Sequence, residues 1–178
     1  MRIRQAKKQD LRSCLQIDPS YVTTRVWQMI EQQASGRESQ MTFRTSRLPR
    51  PLRVQYPRSL TNLGQDMERN ACFLVIEEES EGIRGFIDVT VEPDQVAYLR
   101  HLVIDEDYRH RGLGLHLLEA SIAWAVYRRL RVLMAECQTK NYPATALYRK
   151  CGLKLCGYND MLYANKDIAL YFARELDS

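Results

Sequence analysis

The stretch Tyr108-Arg109-His110-Arg111-Gly112-Leu113-Gly114 sits between an alternating apolar run, Val96 to Ile104, and a helical repeat of Leu115, Leu118, Ile122, Ala125 and Val126. A strand therefore feeds a glycine-containing loop that opens a helix. Glycines at such a junction let several backbone N–H groups point at one place. The first turn of the helix adds its own free N–H groups and a partial positive charge. That combination binds phosphate, and Arg109 and Arg111 add full charges beside it. A plain glycine-rich turn is the bland reading. A dinucleotide site is a second one, because Gly112-x-Gly114 precedes a helix and Glu136 ends the next strand. However, Leu117 holds the third glycine position, and only about forty residues follow Glu136, too few for a second mononucleotide half.

Working outward, Met1 to Arg4 alternates as a short strand, and Asp10 can cap a helix carrying Leu11, Cys14 and Leu15 that stops by Pro19. Val22, Val26, Met29 and Ile30 fall at helical spacing, which predicts a second helix over Val22 to Gln33, ended by Gly36. From Arg37 to Asn70 the pattern reads as extended segments and loop, since Pro49, Pro51 and Pro57 forbid a long helix. From Ala71 onward, Cys72 to Ile76 and Ile83 to Val91 form a hairpin across the polar turn Glu78 to Gly82. Val96 to Ile104 adds a third strand. Gly112 to Arg129 is a long helix and Val132 to Cys137 a short apolar strand. Tyr142 to Lys150 is a helix with Pro143 in its first turn and Gly152 just past its end. Leu153 to Gly157 and Ile168 to Phe172 are the last strands. The expected order is β-α-α-β-β-β-α-β-α-β-β, one α/β domain spanning 1–178, with a parallel pair at the central strand–helix–strand crossover.

Arg109-x-x-Gly112-x-Gly114 fits the Q/R-x-x-G-x-G/A pyrophosphate loop of GCN5-related (GNAT) acetyltransferases. The segment Asn141-Tyr142-Pro143-Ala144-Thr145-Ala146-Leu147-Tyr148-Arg149-Lys150-Cys151-Gly152-Leu153 resembles the second pattern of that family, N-x-x-A-x-x-L-Y-x-x-x-G-F. Order, spacing and context agree, and the clear resemblance covers about Val96 to Tyr163. A narrower likeness to streptothricin acetyltransferases lies in Met134 to Gln138, Cys151-Gly152, Asp160 to Tyr163 and Ile168 to Tyr171. The resemblance implies a GNAT fold, a mixed sheet with a splayed parallel strand pair flanked by helices. It implies acetyl-CoA as co-substrate and direct attack by an amine in a ternary complex. Leu102, Val103 and Ile104 are expected to pair with the pantetheine arm. Arg109, His110, Arg111, Gly112, Leu113 and Gly114 are expected to hold the diphosphate. Asn141 and Ala144 are expected to touch the cofactor.

Tyr148 is the expected general acid for the leaving thiolate, with packing against the sheet as its bland alternative. The base is open. Many relatives place an acid on the central strand, and streptothricin enzymes resemble Glu-Asp where this chain has Arg100-His101. His101 is one candidate, or else a strand histidine with its ring in solvent. Glu136 is another, or else it orients a cationic acceptor. A base reached through water is the third. The acceptor is expected to be a small-molecule amine, antibiotic- or aminosugar-like. A peptide or protein amine is the alternative, and a non-catalytic acyl-CoA sensor a further one.

Composition frames these expectations. The chain has 178 residues, 45% hydrophobic and 27% charged, a globular balance. No apolar run of about 18 residues and no secretory leader is present, so a cytoplasmic protein is expected, with no membrane partner. Five cysteines without a CxxC pair, and three histidines outside any metal-spaced cluster, point to reduced packing cysteines and no metal. The net charge of +4 is concentrated in Arg37, Arg44, Arg47, Arg50, Arg53 and Arg58. This stretch suits a cleft wall or a solvated strand; no RNA- or DNA-binding motif accompanies it, so a nucleic-acid partner is not expected. A homodimer is possible on the resemblance. The acceptor walls are expected to come from the first third of the chain.

Overall fold

The computed structural model describes residues 1–34, 38–69 and 72–176. Nine strands and four α-helices follow in the order β1 (Arg2–Gln5), α1 (Leu11–Gln16), β2 (Tyr21–Ala34), β3 (Glu38–Val54), α2 (Leu63–Arg69), β4 (Cys72–Glu78), β5 (Gly82–Glu92), β6 (Val96–Ile104), α3 (Leu113–Tyr127), β7 (Val132–Gln138), α4 (Tyr142–Lys150), β8 (Lys154–Asn159) and β9 (Ala169–Glu175) among the described residues. Seven strands form one sheet in the order β1-β4-β5-β6-β7-β9-β8, and β2-β3 is a separate hairpin. All neighbours in the sheet are antiparallel except β6 and β7. That pair is parallel because α3 carries the chain back across the sheet between them.

Both faces of the sheet are covered, and the alternation along the strands shows how. In β4, Phe73 and Val75 face a cluster with Cys14 and Ile17 next to α1 and Leu63 of α2, whereas Cys72 and Ile76 face the larger core. That larger core holds Leu113, Leu117, Leu118, Ile122 and Ala125 of α3 against Ile87, Val89, Ala97, Leu99, Leu133 and Ala135. The i, i+4 and i+5 spacing from Leu113 brings these side chains onto one helix face. Burying each large aliphatic side chain here contributes about 1.5–3 kcal/mol.

One expected element is overturned. Val22 to Gln33 is not a helix; it lies within β2, paired with β3 from Tyr21↔Val54 to Ala34↔Glu38. The side that packs carries Tyr21, Thr23 and Trp27, while Val22 is 43% exposed. The segment is rich in β-branched and aromatic residues, which fit a pleated surface. The pairing with β3 then outweighs a weak helical spacing. The Trp27 indole N–H donates to Thr145 Oγ1 at 3.0 Å, so the hairpin leans on α4. A short helix, α2, occupies part of the stretch read as loop. The expected helix stop at Gly36 lies outside the described residues, as do Arg37, Asn70 and Ala71. No helix among the described residues is long and apolar enough to cross a membrane.

Candidate active site

The loop after β6 is shaped to gather main-chain donors. His110 and Gly112 adopt left-handed φ values of 61° and 85°, which turns successive amides toward a common point. Among the described residues, none of the amides from His110 to Leu115 has a protein acceptor, whereas His116 N–H already bonds Gly112 O at 3.0 Å. The amide of Arg109 is spent on Glu106 O at 3.3 Å. The Arg109 guanidinium straps the loop down, donating from Nε to Ile104 O and from Nη2 to Asp18 O, both at 2.9 Å. Arg111 lies over the Tyr108 ring, 4.8 Å from its centroid. A Cβ on Gly114 would stand 3.4 Å from Leu147 and 3.7 Å from Ile104. Both are ordinary contact distances, so the start of α3 packs beside Leu147 of α4 without requiring glycine at this position.

Beside the loop the sheet opens. The register of β5 and β6 slips between Asp88↔His101 and Val89↔Leu99, so Arg100 is the extra residue of a β-bulge. Pairing of β6 with β7 runs from Val96↔Val132 to Leu99↔Ala135 and stops there. Beyond it the two strands diverge, leaving the β7-facing edge of Leu102, Val103 and Ile104 without a strand partner. A cleft of about 590 Å³ follows this opening and reaches the loop from Arg109 to Gly114. The free amides and the unpaired strand edge together fit an extended thioester carrying a diphosphate.

The α4 side carries Tyr148. Asn141 Oδ1 accepts from Ala144 N–H at 3.1 Å and caps the helix. At the other end, Gly152 takes φ 82°. Its N–H bonds Arg149 O, and Leu153 N–H bonds Tyr148 O, each at 3.0 Å. These caps fix the rotation of α4, and with it Tyr148, which lines the cleft together with Ala144 and Leu147. The Tyr148 ring packs on Phe172 with centroids 5.7 Å apart. Its hydroxyl makes no hydrogen bond among the described residues. Burial pushes the phenol well above its ordinary pKa, so it is protonated at neutral pH.

The opposite wall comes from the segment after β3. Tyr56, Pro57 and Arg58 line the cleft with Pro19, Tyr21 and Val22. Two strand residues hold that segment. His101 Nδ1 is 3.0 Å from the Tyr56 hydroxyl. Glu136 Oε1 accepts from Arg58 Nε at 2.8 Å and from Nη2 at 2.6 Å. The same carboxylate accepts from the hydroxyls of Tyr163, at 3.0 Å, and Tyr98. His101 is 3% exposed, so its ring is not in solvent, contrary to the bland expectation for a strand histidine. Burial, with Arg58 and Arg100 nearby, pushes it down to about 4. His101 is not part of the cleft wall. Asp66 and Asp88 bring carboxylate atoms within 4.8 Å of its ring behind that wall.

The family model of the acetyltransferase (GNAT) family matches residues 36–153. The chain belongs to the GNAT acetyltransferase family. It is 32% identical over 100 residues to streptothricin acetyltransferase of Escherichia coli, a match covering 56% of each chain. The chain thus spans little more than half the length of that curated relative. The crystal structure of a nourseothricin acetyltransferase superposes with a TM-score of 0.82 at 22% identity, over 99% of this chain and 98% of that one. A Bacillus anthracis str. Ames protein assigned as a streptothricin acetyltransferase, solved with acetyl coenzyme A, superposes at 0.79 with 23% identity, over 99% and 98%. These likenesses show the GNAT fold, with its diverging parallel pair.

Within this GNAT chain, the structure gathers most of the sequence-predicted residues into one cleft. Leu102, Val103, Ile104, Arg109, His110, Gly112, Leu113, Gly114, Glu136, Asn141, Ala144 and Tyr148 all line it. Arg111 and His101 do not. Tyr56, Arg58, Tyr98 and Tyr163 were missed, although Arg58 belongs to the arginine-rich stretch. The rest of that stretch divides. Arg44, Arg47 and Arg50 are exposed on the hairpin. Arg53 bridges Asp18 at 2.8 Å and Glu106 at 3.0 Å.

Proposed function

We propose that the chain is an acetyl-CoA-dependent N-acetyltransferase acting on a primary amine of a small molecule. The observation that carries this reading is the row of unpartnered amides from His110 to Leu115 at one end of the cleft, with the buried Tyr148 phenol along its wall. Acetyl-CoA is the substrate that supplies an activated acyl carbon. The amides of the α3 N-terminus favour its diphosphate. The free edge of Leu102 to Ile104 offers main-chain partners to the pantetheine arm. Asn141, although it caps α4, lines the same cleft.

Both reactants then meet in one groove, which supplies much of the rate gain. The amine nitrogen bonds to the thioester carbonyl carbon as the carbon–sulfur bond breaks. The departing sulfur takes a proton from Tyr148, and the phenol regains one from solvent. The extra proton of the amine goes to solvent. Glu136 and His101 act as positioning residues: every oxygen of Glu136 is engaged, and the Nδ1 of His101 is tied to Tyr56. Together they hold the Tyr56-Pro57-Arg58 wall against which the acceptor lies.

Release of free thiol from acetyl-CoA, measured with a panel of primary amines, tests the reading. Amine-dependent release supports it. Stabilisation by acetyl-CoA with no release for any amine would mark a binding protein instead. Faster release with peptide N-termini than with any small amine would favour a peptide acceptor.

A further inference from the structure

Among the described residues that line the cleft, charge is not balanced around Arg100. As the bulge residue of β6, Arg100 follows the last paired position, Leu99, and Glu136 follows its parallel partner, Ala135. The two therefore stand on opposite strands at the fork of the sheet, and both line the cleft. The Glu136 carboxylate is occupied by the Arg58 guanidinium and the hydroxyls of Tyr98 and Tyr163. Glu106, the other acid of the cleft, is held by Arg53. Arg100 itself is partly buried and makes no ion pair or hydrogen bond among the described residues.

Its guanidinium presents five N–H donors in a planar fork that matches a carboxylate. With no protein acceptor among the described residues, those donors are open to an anionic group, to which charge-assisted hydrogen bonds would form. A second cation brought to the same place would meet repulsion from Arg100, whereas the Arg58 charge is answered by Glu136. We propose that Arg100 is a specificity-determining residue that receives a carboxylate on the acceptor, so that the preferred substrate is an amine bearing a negative group rather than a polycation. This rests on the acetyltransferase reading above and narrows its substrate class. The arginine at the fork thus turns a general amine site into one suited to amino acids or acidic amines.

The test pairs ω-amino acids with the alkylamines that lack only the carboxylate: β-alanine with ethylamine, 4-aminobutyrate with propylamine, 5-aminopentanoate with butylamine. Spermidine serves as the polycation. A charge-assisted hydrogen bond contributes roughly 1.5–3 kcal/mol, so at least one acid should exceed its amine by about tenfold or more in kcat/KM. In Arg100→Gln that ratio should fall to about threefold or less, in Arg100→Glu it should invert, and Arg100→Lys should keep part of it. Acetyl-CoA stabilisation of each variant confirms that it is folded. A wild-type enzyme that favours the alkylamine at every length, or spermidine over all the acids, overturns the proposal. So does a ratio that Arg100→Gln leaves in place. Absence of thiol release with every amine would instead overturn the acetyltransferase reading itself.

Discussion

Tyr148 and His101 show how burial assigns opposite tasks to two titratable side chains. The Tyr148 phenol, raised well above its ordinary value, stays protonated through the neutral range and is available as a donor. Tyr148→Phe removes the proton and little else, so kcat should fall about 100-fold or more while acetyl-CoA affinity changes little. Equal turnover in the two proteins would remove the role. His101, held near 4, is neutral at pH 7 in the folded chain. With solvent taking the amine's proton, kcat/KM should rise with pH toward the pKa of whichever amine is used. An inflection near pH 6–7 that ignores the identity of the amine would contradict this. The same depression has a stability consequence. The unfolded chain binds a proton at His101 below about pH 6.5 and the folded chain does not. Its contribution is therefore complete above about 6.5 and is lost as pH falls toward 4. Denaturant midpoints should decline over that window by up to about 1.4 kcal/mol per pH unit, and His101→Gln should flatten the decline.

At the scale of elements, the donor side of the cleft was legible and the acceptor side was not. The loop from Arg109 to Gly114 and the helix Tyr142–Lys150 are contiguous, and their glycines, cap and proline carry local backbone meaning. Gly112 has φ 85°, where any other L-residue is strained by about 1–2 kcal/mol. Gly112→Ala should lower stability by that amount and weaken acetyl-CoA binding severalfold or more; calorimetric titration and denaturant melts check both. By contrast, the wall of Tyr56 to Arg58 exists only through pairings with partners 45 and 78 residues away. No periodicity announces such contacts. The helix expected over Val22 to Gln33 failed for a related reason: its apolar residues suit either element, and the choice is made by β3, a distant strand. The energetic weight of the pairings also differs. Glu136 has a side chain 3% exposed, so Glu136→Ala leaves the Arg58 charge uncompensated and should cost about 3–5 kcal/mol. Arg53→Ala, at an exposed bridge, should leave the thermal midpoint essentially unmoved. Similar losses in the two variants would show that the clamp on the wall is not what the geometry indicates.

Across the whole molecule, one discontinuity organises the rest. The parallel ladder of β6 and β7 ends at Leu99 and Ala135, at the point where Arg100 bulges from the pairing of β6 with β5. The opening places the start of α3, the flank of α4 and the Tyr56 segment around one groove. Two covered faces keep it rigid, with Phe73, Val75 and Phe86 under α1 and α2, and Leu117 and Leu118 over the other side. The mixed sheet, the order of elements along the chain from β4 onward and the crossover helix were readable from alternation and spacing; the place of β9 between β7 and β8 was not. The fork was expected only through the family resemblance, because a one-residue slip in register leaves no mark in the pattern of apolar residues. The proposed catalysis rests on the diphosphate being seated by the main-chain amides from His110 to Leu115, with the thioester carried along the free edge of Leu102 to Ile104 toward Tyr148. The direct measurement is a comparison of melting temperatures with acetyl-CoA, acetyl-dephospho-CoA and acetylpantetheine at equal concentration. Both diphosphate-bearing thioesters should raise the midpoint, by an amount equivalent to about 2.7 kcal/mol at a hundredfold excess over Kd, and acetylpantetheine should not. An equal shift with acetylpantetheine, or no shift with acetyl-CoA, would contradict the seat assigned to the loop.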